Sequence, residues 1–134
     1  MDYDRLKSAI SGSLKLWESG DHEEAFRLLD VLIAEAIKQG EHSWVLTLSN
    51  HAATLSRFKG DPGLVKRYYE QSLTYNPENP RALYGLAKVS LEEGQTEIAK
   101  QYATRCHRAI LQSGDEIIKQ GLLDLVLKQW PEVG

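Results

Sequence analysis

Four histidines and one cysteine are the side chains of this sequence best suited to bind a metal or attack a substrate. His22, His42, His51 and His107 show no close paired spacing, and no His-Glu-x-x-His pattern occurs. Cys106 is the only cysteine, which excludes an intrachain disulfide and a cysteine-based zinc site. On a helix, His107 would point about 100° away from Cys106, so a Cys–His catalytic pair is disfavoured. These residues are therefore interpreted as solvated or packing side chains.

Acidic pairs and glycines also fail to form a catalytic pattern. Glu23-Glu24 and Glu92-Glu93 are explained as solvated helix faces and helix starts. The glycines between helical segments are explained as helix C-caps and do not form a phosphate-binding loop. No enzymatic activity and no cofactor are predicted. A small enzyme or metal protein is the less favoured class.

Composition indicates one folded domain. The chain has 134 residues, of which 42% are hydrophobic and 26% charged, as in ordinary globular domains. A formal charge of −3 with interspersed signs disfavours nucleic-acid binding, which needs a clustered basic surface. No run is apolar enough to span a membrane, and Met1-Asp2-Tyr3-Asp4 is too acidic for a signal peptide. We therefore expect a cytoplasmic location.

Apolar residues recur at helical spacing along the whole chain, and no segment shows the alternation of a strand. Asp61 before Pro62 and Asn79 before Pro80 are typical helix starts. Asp21 with Glu24, and Ser113 with Glu116, resemble capping boxes. The pattern predicts an all-α fold of seven helices, over residues 3–18, 22–39, 41–59, 62–75, 80–93, 95–112 and 115–129.

Three glycines lie at equivalent places between successive helices. Gly60 and Gly94 are 34 residues apart, and Gly20 precedes Gly60 by 40 residues. A small or β-branched residue follows each glycine by five positions, where two helices would pack closely: Ala25, Val65 and Ala99. This spacing predicts a repeated helical hairpin.

The repeat resembles the tetratricopeptide repeat family over nearly the whole chain. The family's packing positions are occupied by Gly12, Leu16, Ala25, Leu29 and Leu32, then Ala52, Ala53, Val65, Tyr69, Ser72 and the closing Pro77, then Leu83, Leu86, Ala87, Ala99, Ala103 and Cys106. The chain departs from the family pattern in having Ala9, Ser49 and Leu83 in place of an early aromatic, about six extra residues in the first repeat, and Leu111 in place of a third closing proline.

The resemblance implies a right-handed superhelical array of three hairpins followed by a capping helix. It places one domain over residues 1–134, with repeats at about 3–40, 41–78 and 79–113 and a capping helix at 114–130. Such hairpins must stack on their neighbours to bury their apolar faces. The first helix of each repeat would line a concave groove, and the second helices, including residues 62–75, would form the outer layer.

The resemblance also implies a non-catalytic scaffold or adaptor that binds a protein segment in this groove. Charge-assisted hydrogen bonds could hold such a segment. The candidate groove residues are Asn50, Thr54, Arg57, Arg81, Tyr84 and Lys88. A related family site, which clamps the terminal carboxylate of heat-shock chaperones, is disfavoured. Its matching positions here hold Ile10, Leu14, His51, Arg81 and Gly85, and only Arg81 is close to the required residue.

The last predicted helix is apolar around much of its circumference. An exposed apolar strip usually marks an interface. One interpretation is a structural subunit that forms a homodimer through this helix, and the other is burial of the helix inside the superhelix. The candidate self-association residues are Ile118, Leu122, Leu125 and Val126.

Overall fold

A computed structural model describes residues 2–134, so Met1, the first residue of the predicted domain, lies outside the described part. Within that part the chain forms seven α-helices and one 3-10 turn at residues 131–133. The helices are α1 Tyr3–Glu18, α2 His22–Lys38, α3 His42–Lys59, α4 Pro62–Tyr75, α5 Pro80–Glu92, α6 Thr96–Gln112 and α7 Glu116–Gln129. The predicted all-α fold is confirmed. No helix among the described residues is long and apolar enough to cross a membrane.

Glycine ends four of the helices in the left-handed backbone conformation. The φ angle of Gly60 is 77°, and the amide of Asp61 beyond it donates to the carbonyl of Ser56 at 3.1 Å. A residue with a Cβ atom adopts this conformation at a cost, so glycine suits the position. Gly20, Gly40 and Gly94 have the same role, which sets the reversals of direction between helices.

Four of the helices begin with a side-chain cap, and in α1 it is Asp2, whose Oδ1 accepts from the amide of Arg5 at 2.8 Å. Asp61 Oδ1 accepts from the amide of Leu64 at 3.1 Å, and Asn79 Oδ1 accepts from the amide of Ala82 at 3.0 Å, as predicted. The cap of α7 is Asp115, so the predicted Ser113–Glu116 capping box is wrong. Ser113 does not cap α7, and its Oγ accepts from the amide of Asp115 at 3.1 Å instead.

The capping box predicted at Asp21 is also wrong. No amide of α2 donates to this side chain. The carboxylate turns back toward the end of α1, where the Ser19 hydroxyl donates to its Oδ2 at 3.4 Å. The start of α2 therefore has only acidic residues, Glu23 and Glu24, to complement its dipole.

Each helix packs mainly against its neighbours in sequence, which gives the pairs α1–α2, α3–α4 and α5–α6 with α7 after them. Contacts between helices two apart in sequence are fewer, and they join α1 to α3 and α5 to α7. Ala25 and Ala99 are fully buried and Val65 is 3% exposed, as expected for the closest contacts within each pair. We propose that the three pairs correspond to the predicted repeats.

The buried side chains form two clusters rather than one. The first extends from α2 to α5 and contains Leu29, Val45, Leu48 and Tyr68. The second joins α5, α6 and α7 and contains Leu83, Cys106, Ile110, Val126 and Trp130. The last helix is therefore held by a different set of contacts from the one that holds the first two pairs.

A network of polar side chains links α2 to α4. The Tyr68 hydroxyl donates to Asp30 Oδ1 at 2.7 Å and accepts from Arg67 Nη2 at 2.8 Å. Arg67 also pairs with Asp30 at 3.3 Å. Burial raises the pKa of Tyr68, and the bond to Asp30 raises it further. The phenol therefore stays protonated and continues to donate this bond.

Candidate functional site

Two hollows lie side by side where α3 faces α5. The first has a volume of about 600 Å³ and extends toward Ile10 of α1. The second has a volume of about 490 Å³ and extends toward α7. Both are lined by Asn50, Thr54 and Arg81, so the two hollows adjoin at these three residues. We call the two together the α3/α5 groove and refer to them as the first and second hollows.

The structure brings five of the six predicted groove residues together. Asn50, Thr54, Arg57, Arg81 and Tyr84 all line the second hollow. Their role in binding stays a prediction.

Lys88, the sixth predicted residue, lies beside this hollow and does not line it. Its Nζ is 5.9 Å from the centre of the Tyr84 ring, in a cation–π position. Lys88 therefore adds positive charge at the edge of the groove.

Tyr69 is a groove residue that sequence reasoning missed. It belongs to α4, which was expected on the outer layer, yet it lines the second hollow. Its ring reaches the groove across Gly85 of α5, where a Cβ atom would lie only 2.2 Å from Tyr69 Cε2. A glycine opposite an aromatic residue in the adjacent repeat is the sequence signal that could have indicated this contact.

A buried hydroxyl fixes the orientation of the Asn50 side chain. Ser72 is fully buried, and its Oγ donates to Asn50 Oδ1 at 2.7 Å. Thr54 Oγ1 donates to the backbone carbonyl of Asn50 at 3.0 Å. Because the amide oxygen is engaged by Ser72, the amide NH2 group is the part of Asn50 that remains for the groove.

Two guanidinium groups converge on the second hollow. Arg57 Nη2 is 3.9 Å from Glu92 Oε1, in an exposed pair that contributes little. Within the described residues, Arg81 has no carboxylate within 4.0 Å. Burial raises the pKa of Tyr69, and the charges of Arg57 and Arg81 partly oppose that rise. Both cations therefore favour the ionised form of the same phenol.

The first half of α7 forms a wall of the second hollow, lined by Ile117, Ile118 and Leu122. Ile117 is 83% exposed, whereas Ile118 and Leu122 are half-buried. The C-terminal end of the helix is anchored at Trp130, whose ring meets Tyr84 edge-on at 6.5 Å between ring centres. The helix borders the groove and does not fill it.

One predicted self-association residue is not on the surface. Val126 is fully buried in the second cluster, because the side of α7 that carries it packs onto α5 and α6. Leu125 is 47% exposed. Among the predicted residues, Leu125 is therefore the most accessible for contact with another molecule, and Ile117 is a more exposed neighbour that the prediction omitted.

His51 lies in the first hollow with its Nε2 atom 3.0 Å from Ser13 Oγ. The Ser13 hydroxyl donates to the carbonyl of Ile10 at 2.7 Å. His51 Nε2 is therefore the donor to Ser13, which assigns the proton of the neutral ring to Nε2. Burial lowers the pKa of His51 from its ordinary value of 6.5.

We expect the free energy of unfolding to fall as the pH drops below about 6.5, because unfolded His51 takes up a proton before folded His51 does. The loss should stop once the folded histidine is also protonated. Urea unfolding at a series of pH values, for the wild type and His51→Gln, measures this dependence. The difference between the two proteins isolates the histidine from the carboxylates. An identical pH dependence in both proteins would contradict the assignment.

Cys106 is a packing residue. It is fully buried, and its Sγ donates to the carbonyl of Pro80 at 3.3 Å. Burial raises the pKa of this thiol to about 12. Because the thiolate is the nucleophilic form, Cys106 is unsuited to attack a substrate at neutral pH. In the described part of the chain, no three His, Cys, Asp or Glu side chains group as a metal site requires.

Comparisons with known proteins agree with this architecture. A tetratricopeptide repeat family model matches residues 68–101. The chain is 28% identical over 127 residues to "Cellulose synthase operon protein C" of Pseudomonas fluorescens (strain SBW25). That alignment covers 92% of this chain and 10% of the relative, so the chain spans about a tenth of the relative's length.

A solved structure shares the fold. The type III secretion translocator chaperone SycD of Yersinia enterocolitica, in a crystal structure described as an alternative dimer, superposes with a TM-score of 0.72 at 18% sequence identity. The superposition covers 98% of this chain and 93% of that one. The superposition shows the all-α fold, and the family model's match at residues 68–101 confirms the predicted resemblance to the tetratricopeptide repeat family.

Proposed function

We propose that this protein is a non-catalytic scaffold that binds a segment of another protein in the α3/α5 groove. The observation that carries the proposal is that the two hollows adjoin at Asn50, Thr54 and Arg81, which offers an extended chain a path from Ile10 to α7. Tetratricopeptide repeats and the chaperone-like fold support a role in protein interaction in general. The groove is the concave surface on which we place that interaction.

The lining of the second hollow supports protein binding. Tyrosine and arginine dominate the energetically important positions of protein interfaces, and this hollow contains Tyr69, Tyr84, Arg57 and Arg81. The α7 wall adds an apolar surface beside them. The combination suits a segment that carries both polar groups and an apolar side chain. A cytoplasmic location and the absence of nucleic-acid and membrane partners are part of the same proposal.

Photo-crosslinking at Thr54 tests the groove without knowledge of the partner. Thr54 is exposed in the groove, and Thr104 is exposed on α6. Each hydroxyl donates to the carbonyl four residues earlier, at 3.0 and 2.9 Å respectively. With benzoyl-phenylalanine at position 54, we expect one discrete crosslinked species in cells of the source organism. At position 104, which is also exposed on a helix but lies outside the groove, we expect none.

Mass spectrometry of the crosslinked species then identifies the captured segment. A partner captured equally well at positions 54 and 104, or only at position 104, would contradict binding in the groove. Folding of each variant is checked by circular dichroism before crosslinking, because both threonines lie on helices.

Self-association through α7 is the second candidate. Ile117, Leu125 and Leu111 are 83%, 47% and 55% exposed at this end of the molecule. An exposed apolar patch favours an interface, and the end of α6 and the length of α7 supply these exposed residues. Sedimentation velocity over a range of concentrations should show a dimer that Leu125→Gln abolishes. A monomer at the highest concentration would remove this candidate and leave the groove proposal intact.

A further inference from the structure

The α3/α5 groove differs in charge from the rest of the protein. The whole chain has 19 acidic and 16 basic residues and a formal charge of −3. In contrast, the described residues that line the two hollows include Arg57 and Arg81 and no Asp or Glu. A concave surface with one sign of charge raises the local concentration of ligands of the opposite sign.

The groups at the centre of the groove are hydrogen-bond donors. Arg81 has no carboxylate within 4.0 Å in the part of the chain that the structure describes, and the carboxylate paired with Arg57 there is that of Glu92, exposed and 3.9 Å away. Asn50 contributes its NH2 group because Ser72 occupies its amide oxygen. Guanidinium and amide donors together match the oxygens of a carboxylate.

An apolar surface lies next to these donors. Ile118 and Leu122 of α7 are half-buried and line the same second hollow as Arg57 and Arg81. A bulky aliphatic side chain on this wall would cover apolar surface that is now in contact with water. Burial of such surface is favourable in proportion to its area.

The donors lie in the middle of the groove. Asn50, Thr54 and Arg81 line both hollows, so the chain of a ligand can continue on either side of them. A side-chain carboxylate of an internal segment fits this position better than the last residue of a chain, since a chain terminus would leave one hollow empty.

We propose that the partner segment carries a glutamate or aspartate next to a bulky aliphatic residue. The carboxylate binds to Arg57, Arg81 and the Asn50 amide, and the aliphatic side chain packs on Ile118 and Leu122. Ser72 is a positioning residue that keeps the Asn50 NH2 group directed at the carboxylate. This inference rests on the proposed function of the groove and adds the chemistry of its partner.

Three pools of fluorescein-labelled nonapeptides test the inference by fluorescence anisotropy with the full chain. The first pool has a central Leu-Glu-Leu and the second a central Leu-Gln-Leu, both with blocked termini and random uncharged outer positions. The third has the Gln centre and a free C-terminal carboxylate. We expect the Glu pool to bind at least about tenfold more tightly than the other two, the equivalent of one strong charge-assisted contact.

Variants identify the groups that read the carboxylate. In Arg81→Gln, the preference for Glu over Gln should fall to less than about twofold, since one guanidinium is lost. Arg108→Gln, an exposed arginine of α6 outside the groove, should keep the full preference. In Ser72→Ala, the Glu-over-Gln ratio should fall several-fold, whereas a purely structural role of Ser72 would weaken both pools equally.

The outcomes separate the inference from the function on which it rests. Three results would overturn the inference that the segment is acidic. They are equal binding of the Glu and Gln pools, tighter binding of the free-carboxylate pool, or an equal loss of the Glu-over-Gln preference in Arg81→Gln and Arg108→Gln. If Thr54 still crosslinks a partner, groove binding survives that result. If no pool binds and Thr54 captures nothing, both the inference and the proposed function are overturned.

Discussion

Replacing Trp130 with alanine is expected to lower the free energy of unfolding by about 3–5 kcal/mol, the usual range for a truncated core tryptophan. Trp130 is only 4% exposed and belongs to the second buried cluster with Val126 and Ile110. Its ring also meets Tyr84 edge-on. Since this cluster attaches α7 to α5 and α6, α7 should be the first helix to unfold in the variant.

Urea unfolding and hydrogen exchange resolved by helix measure the two parts of this prediction. In Trp130→Ala, exchange in α7 should accelerate at urea concentrations where α2, α3 and α4 remain protected. Leu125→Ala is the matched control, because Leu125 lies on the same helix but is 47% exposed. It should cost less than about 1 kcal/mol. A stable Trp130→Ala protein with unchanged exchange in α7 would contradict the account of how this helix is held.

The second large effect is expected from Gly85→Ala. A Cβ atom at Gly85 would lie 2.2 Å from Cε2 and 2.5 Å from Cζ of Tyr69. Tyr69 is 8% exposed, so its ring cannot move aside without disturbing the first buried cluster. Overpacking of this kind costs about 1–3 kcal/mol. The variant should be less stable although alanine favours a helix more than glycine does.

Gly121→Ala separates the clash from the helix preference. Gly121 is exposed on α7, and nothing lies within 4 Å of the Cβ that this substitution would add. It should be neutral or more stable by up to about 1 kcal/mol. Chemical unfolding of both variants gives the comparison. A Gly85→Ala protein as stable as Gly121→Ala would show that the approach of Tyr69 is not constrained.

A double-mutant cycle tests the cause directly. In a Tyr69→Leu background the ring is absent, so the added methyl group of Gly85→Ala should cost less than it does in the wild type. The same ring lines the second hollow. The contact that removes the space for a side chain at position 85 is therefore also the contact that brings Tyr69 into the groove.

Local patterns predicted the helices and their packing well. The glycine turns and the Asp61 and Asn79 caps depend on residues a few positions apart, which a sequence shows directly. The small residues five positions after the turn glycines are buried as expected. Five of the six candidate groove residues, which the family resemblance supplied, line the second hollow, and their role in binding stays a prediction.

The features that were missed depend on distant contacts. Tyr69 reaches the groove only because residue 85 on the next helix is a glycine. Val126 is buried because of how α7 lies on α5 and α6, and the sequence of α7, with apolar residues around much of its circumference, does not determine which side is buried. Asn50 is oriented by Ser72, 22 residues away, and such a pair has no signature in a single sequence.

The central claim is that the α3/α5 groove is the binding surface, and a nuclear magnetic resonance titration tests it most directly. The ¹⁵N-labelled protein is titrated with the segment identified by crosslinking at Thr54. We expect the largest shifts at the Asn50 side-chain amide, at Arg81 and in the first half of α7, with α6 unchanged around Thr104. Shifts concentrated on α2 or α6, with Asn50 and Arg81 unaffected, would contradict the claim.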